Sequence, residues 1–491
     1  MGKRLKVLYV SPEVIPFAKT GGLADVAGSL PKAIRELKHD VRIIMPLYKC
    51  ILEGNHDIRS LDTKVAIPLG LKRVEGDIYQ GDLGGVPVYF LRKDEFYYRD
   101  YLYSNPDGDY QDNARRFIFF SRSILEILKK IDFLPDIIHS NDWQSGLVSV
   151  YLNTLFKSTS PYSKVAALYT IHNIAYQGVF PASDLPLTGL PEKVFNPQGI
   201  EFWGKINFMK GGILFSDIVN TVSEGYGKEI KTEEFGYGLE GVLKDREEDF
   251  YGILNGVDYN NWNPLNDRFI SANYNGNDLS GKKKCKDDLL KEYGLNLSIY
   301  TPLIGIISRL ADQKGFDILS EAMEELISMN LGIVLLGTGN RQYHEIFEAL
   351  AIKYPKKLGI KIAFNNALAH KIEAGSDLFL MPSRYEPCGL NQIYSLRYGT
   401  IPIVRATGGL DDTIEDYNPS KQRGNGFKFR EYSSQALVSK VKEAIKVFKD
   451  RRVWKNLVIR AMKEDFSWKR SAKRYEDLYY KAITKKEGTN T

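Results

Sequence analysis

Lys19, Arg309, Lys314 and Glu386 each stand close to a glycine or proline turn, and cations with a carboxylate in such settings suit the handling of a phosphorylated sugar. Glu386 lies in the stretch from Asp377 to Gly399, where the apolar run Leu378 to Met381 is long enough for a buried strand. Apolar spacing at Leu390, Ile393 and Leu396 predicts a helix beyond it. With Pro387 at the start of that helix, the amides of Cys388, Gly389 and Leu390 point out of its end, which attracts anions. Glu386, one residue earlier, offers sugar hydroxyls a fixed carboxylate. A sugar-nucleotide site and an ordinary capped βα turn fit this loop about equally.

The cations sharpen the choice. Lys19 precedes Thr20-Gly21-Gly22-Leu23-Ala24-Asp25, and Arg309 and Lys314 follow an apolar run in Ser308-Arg-Leu-Ala-Asp-Gln-Lys-Gly315. Each alone reads as a surface charge, whereas together on one helix end they would stabilise the charge growing on a departing diphosphate. His172 closes a strand-like run and opens His172-Asn-Ile-Ala-Tyr-Gln-Gly178, joining an imidazole to an amide and a glycine turn. His139 ends another such run and reads equally as a core histidine. Asp142, followed by Trp143, offers hydroxyls a carboxylate against an aromatic wall. Asp107-Gly108-Asp109 has a spacing that can hold a divalent cation, but it sits among turn residues in a loop, and no metal is expected. Gly337-Thr338-Gly339 lacks the third glycine of a dinucleotide fingerprint and no P-loop pattern occurs, which counts against hydride transfer and ATP hydrolysis.

The elements that must position these groups alternate between apolar runs and helical patterns, as in βαβ units. Polar residues follow the runs: Ser11-Pro12-Glu13 after Leu5–Val10, His139 to Trp143 after Ile137-Ile138, His172-Asn173 after Val165–Ile171, Asn255-Gly256 after Gly252–Leu254 and Ser308-Arg309 after Leu303–Ile307. Open parallel sheets bind ligands at the carboxyl ends of their strands. Thr-Gly-Gly-Leu-x-Asp occurs at Thr20–Asp25 and again at Thr407-Gly408-Gly409-Leu410-Asp411-Asp412, which suggests two similar halves with facing glycine loops around a cleft. A boundary is expected near Leu254–Asp267, rich in Asn, Pro and Gly. This gives an amino-terminal domain 1–254, a second domain 255–465 with strands near 303, 333, 360, 378 and 401, and a tail 466–491. In the tail, Phe466, Trp468, Tyr475, Leu478 and Tyr479 share one apolar face, so it is expected to fold back on the first domain. The stretch Glu95–Tyr110 is unusually aromatic, suiting sugar faces or a filled core alike.

Totals set the outer limits. A chain of 491 residues exceeds what one core usually supports. It is 43% apolar and 26% charged, with no apolar run of the ~20 residues that a membrane span needs. The net charge of +6 is too mild and too dispersed to argue for nucleic acid. The basic start, Met1 to Val10, reads as a first strand rather than a signal peptide. Three scattered cysteines, Cys50, Cys285 and Cys388, support neither a disulfide framework nor a zinc site and suit the cytoplasm.

Several of these stretches also resemble, in order and over residues 5 to about 480, the bacterial glycogen synthase and plant starch synthase family. They are Lys19–Asp25, His139–Trp143, His172–Gly178, Asn207–Gly212, Glu234–Gly241, Ile253–Asp258, Ser308–Leu310, Gln313–Gly315 and Pro382–Leu390. The resemblance implies an α/β chain of the GT-B fold: two Rossmann-like, doubly wound parallel-sheet domains around a deep cleft. It implies transfer of glucose from ADP-glucose, or from UDP-glucose, to the non-reducing end of an α-1,4-glucan with retained configuration, with no cofactor and no metal. In that scheme Arg309 and Lys314 bind the departing phosphates, and Lys19, Gly21, Gly22 and Asp25 form the loop that closes on them. Glu386 holds donor hydroxyls with the amides at Cys388, Gly389 and Leu390. His172 sits at the reacting sugar, Asp142 and Asn255 complete its pocket, and Thr407, Gly408 and Gly409 line the substrate site. Phe364, just after Ile360–Ala363, takes the place of the aromatic residue that stacks on the base. One departure stands out: Tyr394 occupies the second position of the Glu-x7-Glu pattern of many retaining GT-B enzymes, as in bacterial glycogen synthases. A glucan phosphorylase, which would carry pyridoxal phosphate in a longer chain, and a non-catalytic glucan-binding protein are the rival classes. Retention of Glu386, Arg309 and Lys314 argues against the second.

Overall fold

Near-continuous runs of Val, Ile and Leu become strands covered on both faces, which is what a parallel sheet sandwiched by helices requires. The computed structural model describes residues 3–105 and 108–488, so Asp107 of the candidate Asp107-Gly108-Asp109 pair lies outside the described residues. The chain divides into two units, Met1–Gly256 with Trp468–Thr491, and Val257–Ser467.

The first unit is built on a nine-stranded sheet. Its strands are β1 (Lys6–Val10), β2 (Asp40–Pro46), β3 (Arg59–Leu69), β4 (Lys72–Leu83), β5 (Val86–Arg92), β6 (Ile137–Asn141), β7 (Ala166–Ile171), β8 (Ile218–Thr221) and β9 (Phe250–Gly252). They lie in the order β9-β8-β7-β6-β1-β2-β5-β4-β3. From β9 to β5 all neighbours are parallel, while β4 runs antiparallel to both β5 and β3. This antiparallel flank has no counterpart in the sequence reading. Alternating burial along β3 shows why: a strand with one wetted face carries no continuous apolar run.

Helix α1 (Gly22–Glu36) returns from β1 to β2, and α2 (Asn113–Lys130) precedes β6. The carboxy-terminal helix, Trp468–Gly488, belongs to this unit and packs on α1 and β7. His139 on β6 is fully buried and anchors it: Nδ1 is 2.9 Å from the Tyr479 hydroxyl and Nε2 is 2.6 Å from Thr170 Oγ1. Thr170 donates to Asn220 Oδ1 at 2.6 Å, so it accepts from the histidine, and Tyr479 must donate. Burial holds this imidazole's pKa well below its usual value. Of the two readings open for His139, the structure selects the core histidine. Phe466 is not on the apolar face of that helix; it lies in the segment before it, within the second unit.

The second unit carries a six-stranded parallel sheet. Its strands are β10 (Leu303–Ile307), β11 (Gly332–Gly337), β12 (Leu358–Ile362), β13 (Leu378–Met381), β14 (Ile401–Arg405) and β15 (Phe427–Phe429), in the order β12-β11-β10-β13-β14-β15. The order reverses beside β10 and β13, the switch point where doubly wound sheets bind ligands.

Candidate active site

Each unit gathers polar side chains at the carboxyl ends of its strands. In the second unit, Arg309 follows β10 and donates to Gln313 Oε1 at 3.2 Å from an exposed position. The chain then makes a short turn through Asp312–Lys314 that ends at Gly315, φ +77°. A Cβ at Gly315 would stand 2.0 Å from the carbonyl oxygen of Pro382, so only glycine lets this turn close on the loop after β13. That approach lays Lys314 on Glu386, with Nζ 2.9 Å from Oε1 and 2.7 Å from Oε2. Ser383 Oγ adds a third hydrogen bond to Glu386 at 3.1 Å, and the carboxylate is buried.

The loop beyond Glu386 departs from expectation. The helix begins at Asn391, not Pro387, because Gly389 turns left-handed at φ +70° and Leu390 caps. Gln392 holds the turn by donating to the carbonyls of Cys388 and Gly389, both at 3.0 Å. Thr407, Gly408 and Gly409 are buried directly behind it. Gly409 donates to the Glu386 carbonyl at 3.0 Å, and a Cβ there would lie 2.2 Å from the Cys388 oxygen. The second Thr-Gly-Gly therefore supports the Glu386 loop by close packing. Phe364, 82% exposed, follows β12 in a turn that Asn365 fixes by capping the next helix. Tyr394 offers a stacked ring instead of a carboxylate: it lies 4.0 Å from Trp262, whose other face stacks on His370 at 3.8 Å.

In the first unit the corresponding strand ends bring His172, Asp142 and Asn141 together. Asp142 Oδ1 accepts the His172 amide at 2.7 Å from a residue with φ +53°. Burial pushes its carboxyl pKa up to about 7, against the lowering effect of the His172 and Asn173 amides. Burial likewise pushes the His172 imidazole down to about 3, so the ring is neutral. Asn141 donates through Nδ2 to the Val10 carbonyl at 3.0 Å, which directs its Oδ1 at His172 Nε2, 2.9 Å away. The ring proton therefore sits on Nε2, and Nδ1 is left as an acceptor. Trp143 forms no open wall beside Asp142: it is buried, and Gly178, φ +64°, exists to let its ring pass, since a Cβ there would stand 2.4 Å from it.

The loop after β1 is different in kind. Lys19, Thr20, Gly21 and Gly22 are exposed, and a Cβ on either glycine would meet nothing within 4 Å. Gly21 has an ordinary extended φ of −149°, so packing and conformation leave both positions open to a larger residue. Both glycines leave open space beside the helix start. Lys19 Nζ lies 2.8 Å from Asp25. Asn255 belongs to the first unit; its Oδ1 is buried and among the described residues finds no hydrogen-bond partner.

Three residues escaped the sequence reading as site members: Asn141, which sets the imidazole tautomer, and Glu13 and Tyr103, which meet beneath the Lys19 loop. Glu13 was visible as the carboxylate that closes the first strand region just before a glycine pair. Tyr103 carried no signal beyond the aromatic richness of its loop.

Comparison with known proteins agrees with this architecture. Residues 6–245 match the starch synthase catalytic domain family and residues 298–458 match glycosyl transferases group 1. Two doubly wound units of this kind make the chain a glycosyltransferase of the GT-B class. It is 45% identical over 484 residues to glycogen synthase 2 of Geobacter sulfurreducens, covering 99% of this chain and 100% of that one. It is 47% identical over 490 residues to the glycogen synthase of Thermosipho africanus, covering 98% and 100%. The catalytic domain of starch synthase IV from Arabidopsis thaliana, solved with ADP and acarbose, superposes with a TM-score of 0.92 at 36% identity, covering 98% of this chain and all of that one. The chain belongs to the glycogen synthase and starch synthase family.

Proposed function

We propose that this glycogen synthase takes glucose from ADP-glucose and adds it to the non-reducing end of an α-1,4-glucan with retention of configuration. The observation that carries the reading is the Lys314–Glu386 pair beside Arg309 at the switch point of the second sheet, in a chain 36% identical to a starch synthase solved with ADP. Arg309 and Lys314 neutralise the diphosphate as its bond to the anomeric carbon breaks. Lys314 exchanges Glu386 for phosphate, and Glu386, with the Cys388, Gly389 and Leu390 backbone, binds donor hydroxyls. Lys19 and the open edge at Gly21, Gly22 and Asp25 contribute substrate contacts from the first unit. His172 Nδ1 accepts a sugar hydroxyl, Asp142 and Asn255 complete the sugar pocket, and Thr407, Gly408 and Gly409 hold the Glu386 loop in shape.

Neither His172 nor Asp142 is placed to attack carbon: one ring nitrogen is tied to Asn141, and the carboxylate accepts backbone amides. Retention then follows from attack on the face the phosphate leaves. The bond from the anomeric carbon to the phosphate oxygen breaks, that carbon bonds to the acceptor 4-oxygen, and the acceptor proton passes to the departing phosphate. Phe364 stacks on the base; stacking tolerates any base, so UDP-glucose serves as the weaker donor. Substitution Glu386→Ala tests the scheme: transfer falls at least a hundredfold with the fold intact, whereas unchanged transfer removes Glu386 from the mechanism.

A further inference from the structure

Glu13 is an unusual residue to find buried. It is 4% exposed at the end of β1, and the groups around it are donors rather than a cation. Its Oε2 accepts the Thr20 amide at 2.5 Å and the Gly21 amide at 3.2 Å, and its Oε1 accepts the Thr20 hydroxyl at 2.5 Å and the Tyr103 hydroxyl at 2.9 Å. A buried carboxylate is costly unless such bonds compensate it, and an amide of the same shape would keep one oxygen for the two backbone donors but turn its NH2 donors toward the Thr20 and Tyr103 hydroxyls. The loop above it, Lys19–Gly22, is exposed, and a Cβ on either glycine would meet nothing within 4 Å. The carboxylate is thus the principal anchor under an otherwise open turn.

Tyr103 reaches Glu13 because a second buried charge shapes the aromatic loop. Arg116 on α2 is fully buried and donates to the carbonyls of Phe96 at 2.7 Å and Leu102 at 2.8 Å, and to Asn113 Oδ1 at 2.7 Å. Asn113 in turn donates to the Tyr103 carbonyl at 2.9 Å. The Tyr103 ring packs against Phe117 and Trp143, which fixes the direction of its hydroxyl. The aromatic stretch is therefore a bracket that completes the set of donors around Glu13.

We propose that Glu13, completed by Tyr103, is a positioning residue: it consumes the Thr20 and Gly21 amides and so holds Lys19 and the first amides of α1 in the shape that receives the donor diphosphate. The inference rests on the reading of the Lys19 loop as a diphosphate contact, and the Lys19→Ala variant tests that reading separately. Full-length wild type, Lys19→Ala, Glu13→Ala and Tyr103→Phe are compared by calorimetric ADP binding, by the KM for ADP-glucose and for glycogen, and by melting. Losing charge-assisted bonds worth about a factor of ten or more, Glu13→Ala weakens ADP at least tenfold and raises the donor KM in step. The glycogen KM stays within about twofold, a selectivity that a general loosening of the fold would not produce. Tyr103→Phe shifts the same two quantities by about threefold, and Lys19→Ala weakens ADP as well. If Glu13→Ala does not fold, Glu13→Gln replaces it with the same expected direction. ADP binding reduced by Lys19→Ala but unchanged or tightened in both the Glu13 and Tyr103 variants overturns the positioning role. Binding unchanged in Lys19→Ala overturns the loop reading, and the inference with it.

Discussion

Replacing Asp142 by asparagine should make this protein relatively more stable as pH rises. The carboxyl's pKa is raised to about 7 from 3.8 by burial, so between those values the folded state holds a proton that the unfolded chain has released. A group of this kind stabilises the fold fully below its unfolded pKa, and that contribution is lost as pH rises through the folded one. With one pKa unit worth about 1.36 kcal/mol, the loss is roughly 1.7 kcal/mol by pH 5 and roughly 4.4 kcal/mol by pH 9. An asparagine side chain does not titrate, so the variant should gain roughly 2.7 kcal/mol on wild type between those two conditions. Because Asp142 is partly exposed, that figure is a ceiling. Urea unfolding of both proteins at pH 5 and pH 9 measures it. A difference that stays within about 0.5 kcal/mol of constant across the range would mean that Asp142 is ionised throughout, and the reasoning from burial would fail. In wild type, donor kcat/KM should fall as pH drops through about 7, a limb that the asparagine variant lacks.

Other expectations follow from the same contacts. Lys314→Met leaves the buried Glu386 carboxylate without its cation; with Lys314 a fifth exposed, the cost is about 2 kcal/mol. Melting should fall by roughly 4–8 °C for a unit of this size, and Glu386→Gln in the same background should restore most of it. Phe364→Ala removes a ring that supports nothing in the fold, so melting holds while ADP binding weakens by about 1–3 kcal/mol. Pyrophosphate, which has no base, should bind both proteins alike. Tyr479→Phe removes the donor to His139 and should cost about 1 kcal/mol, read as faster hydrogen exchange in the carboxy-terminal helix.

Much of the architecture was legible because parallel strands are written as apolar runs. Leu303–Ile307 and Leu378–Met381 appear in the fold with the boundaries their sequence suggests. The flanking strands β3 and β4 were not legible, since they interleave polar and apolar residues and could belong to any exposed segment. Types and turn chemistry identified the candidate site residues, but not their geometry. That Lys314 lands on Glu386 depends on Gly315 passing a carbonyl 2.0 Å from where its Cβ would be, a contact with Pro382, far along the chain. Similarly, the two Thr-Gly-Gly copies look alike as text, yet one leaves open space and the other is wedged against the Cys388 carbonyl. Pro387 signalled a helix start, and the left-handed Gly389 postponed it.

Incorporation of labelled glucose into glycogen from ADP-glucose and from UDP-glucose, side by side and with a chelator present, bears most directly on the central claim. Efficient transfer from ADP-glucose, slower transfer from UDP-glucose and loss of both in Glu386→Ala are the predicted results. Folded wild-type protein that binds glycogen but transfers glucose from neither donor would contradict the account.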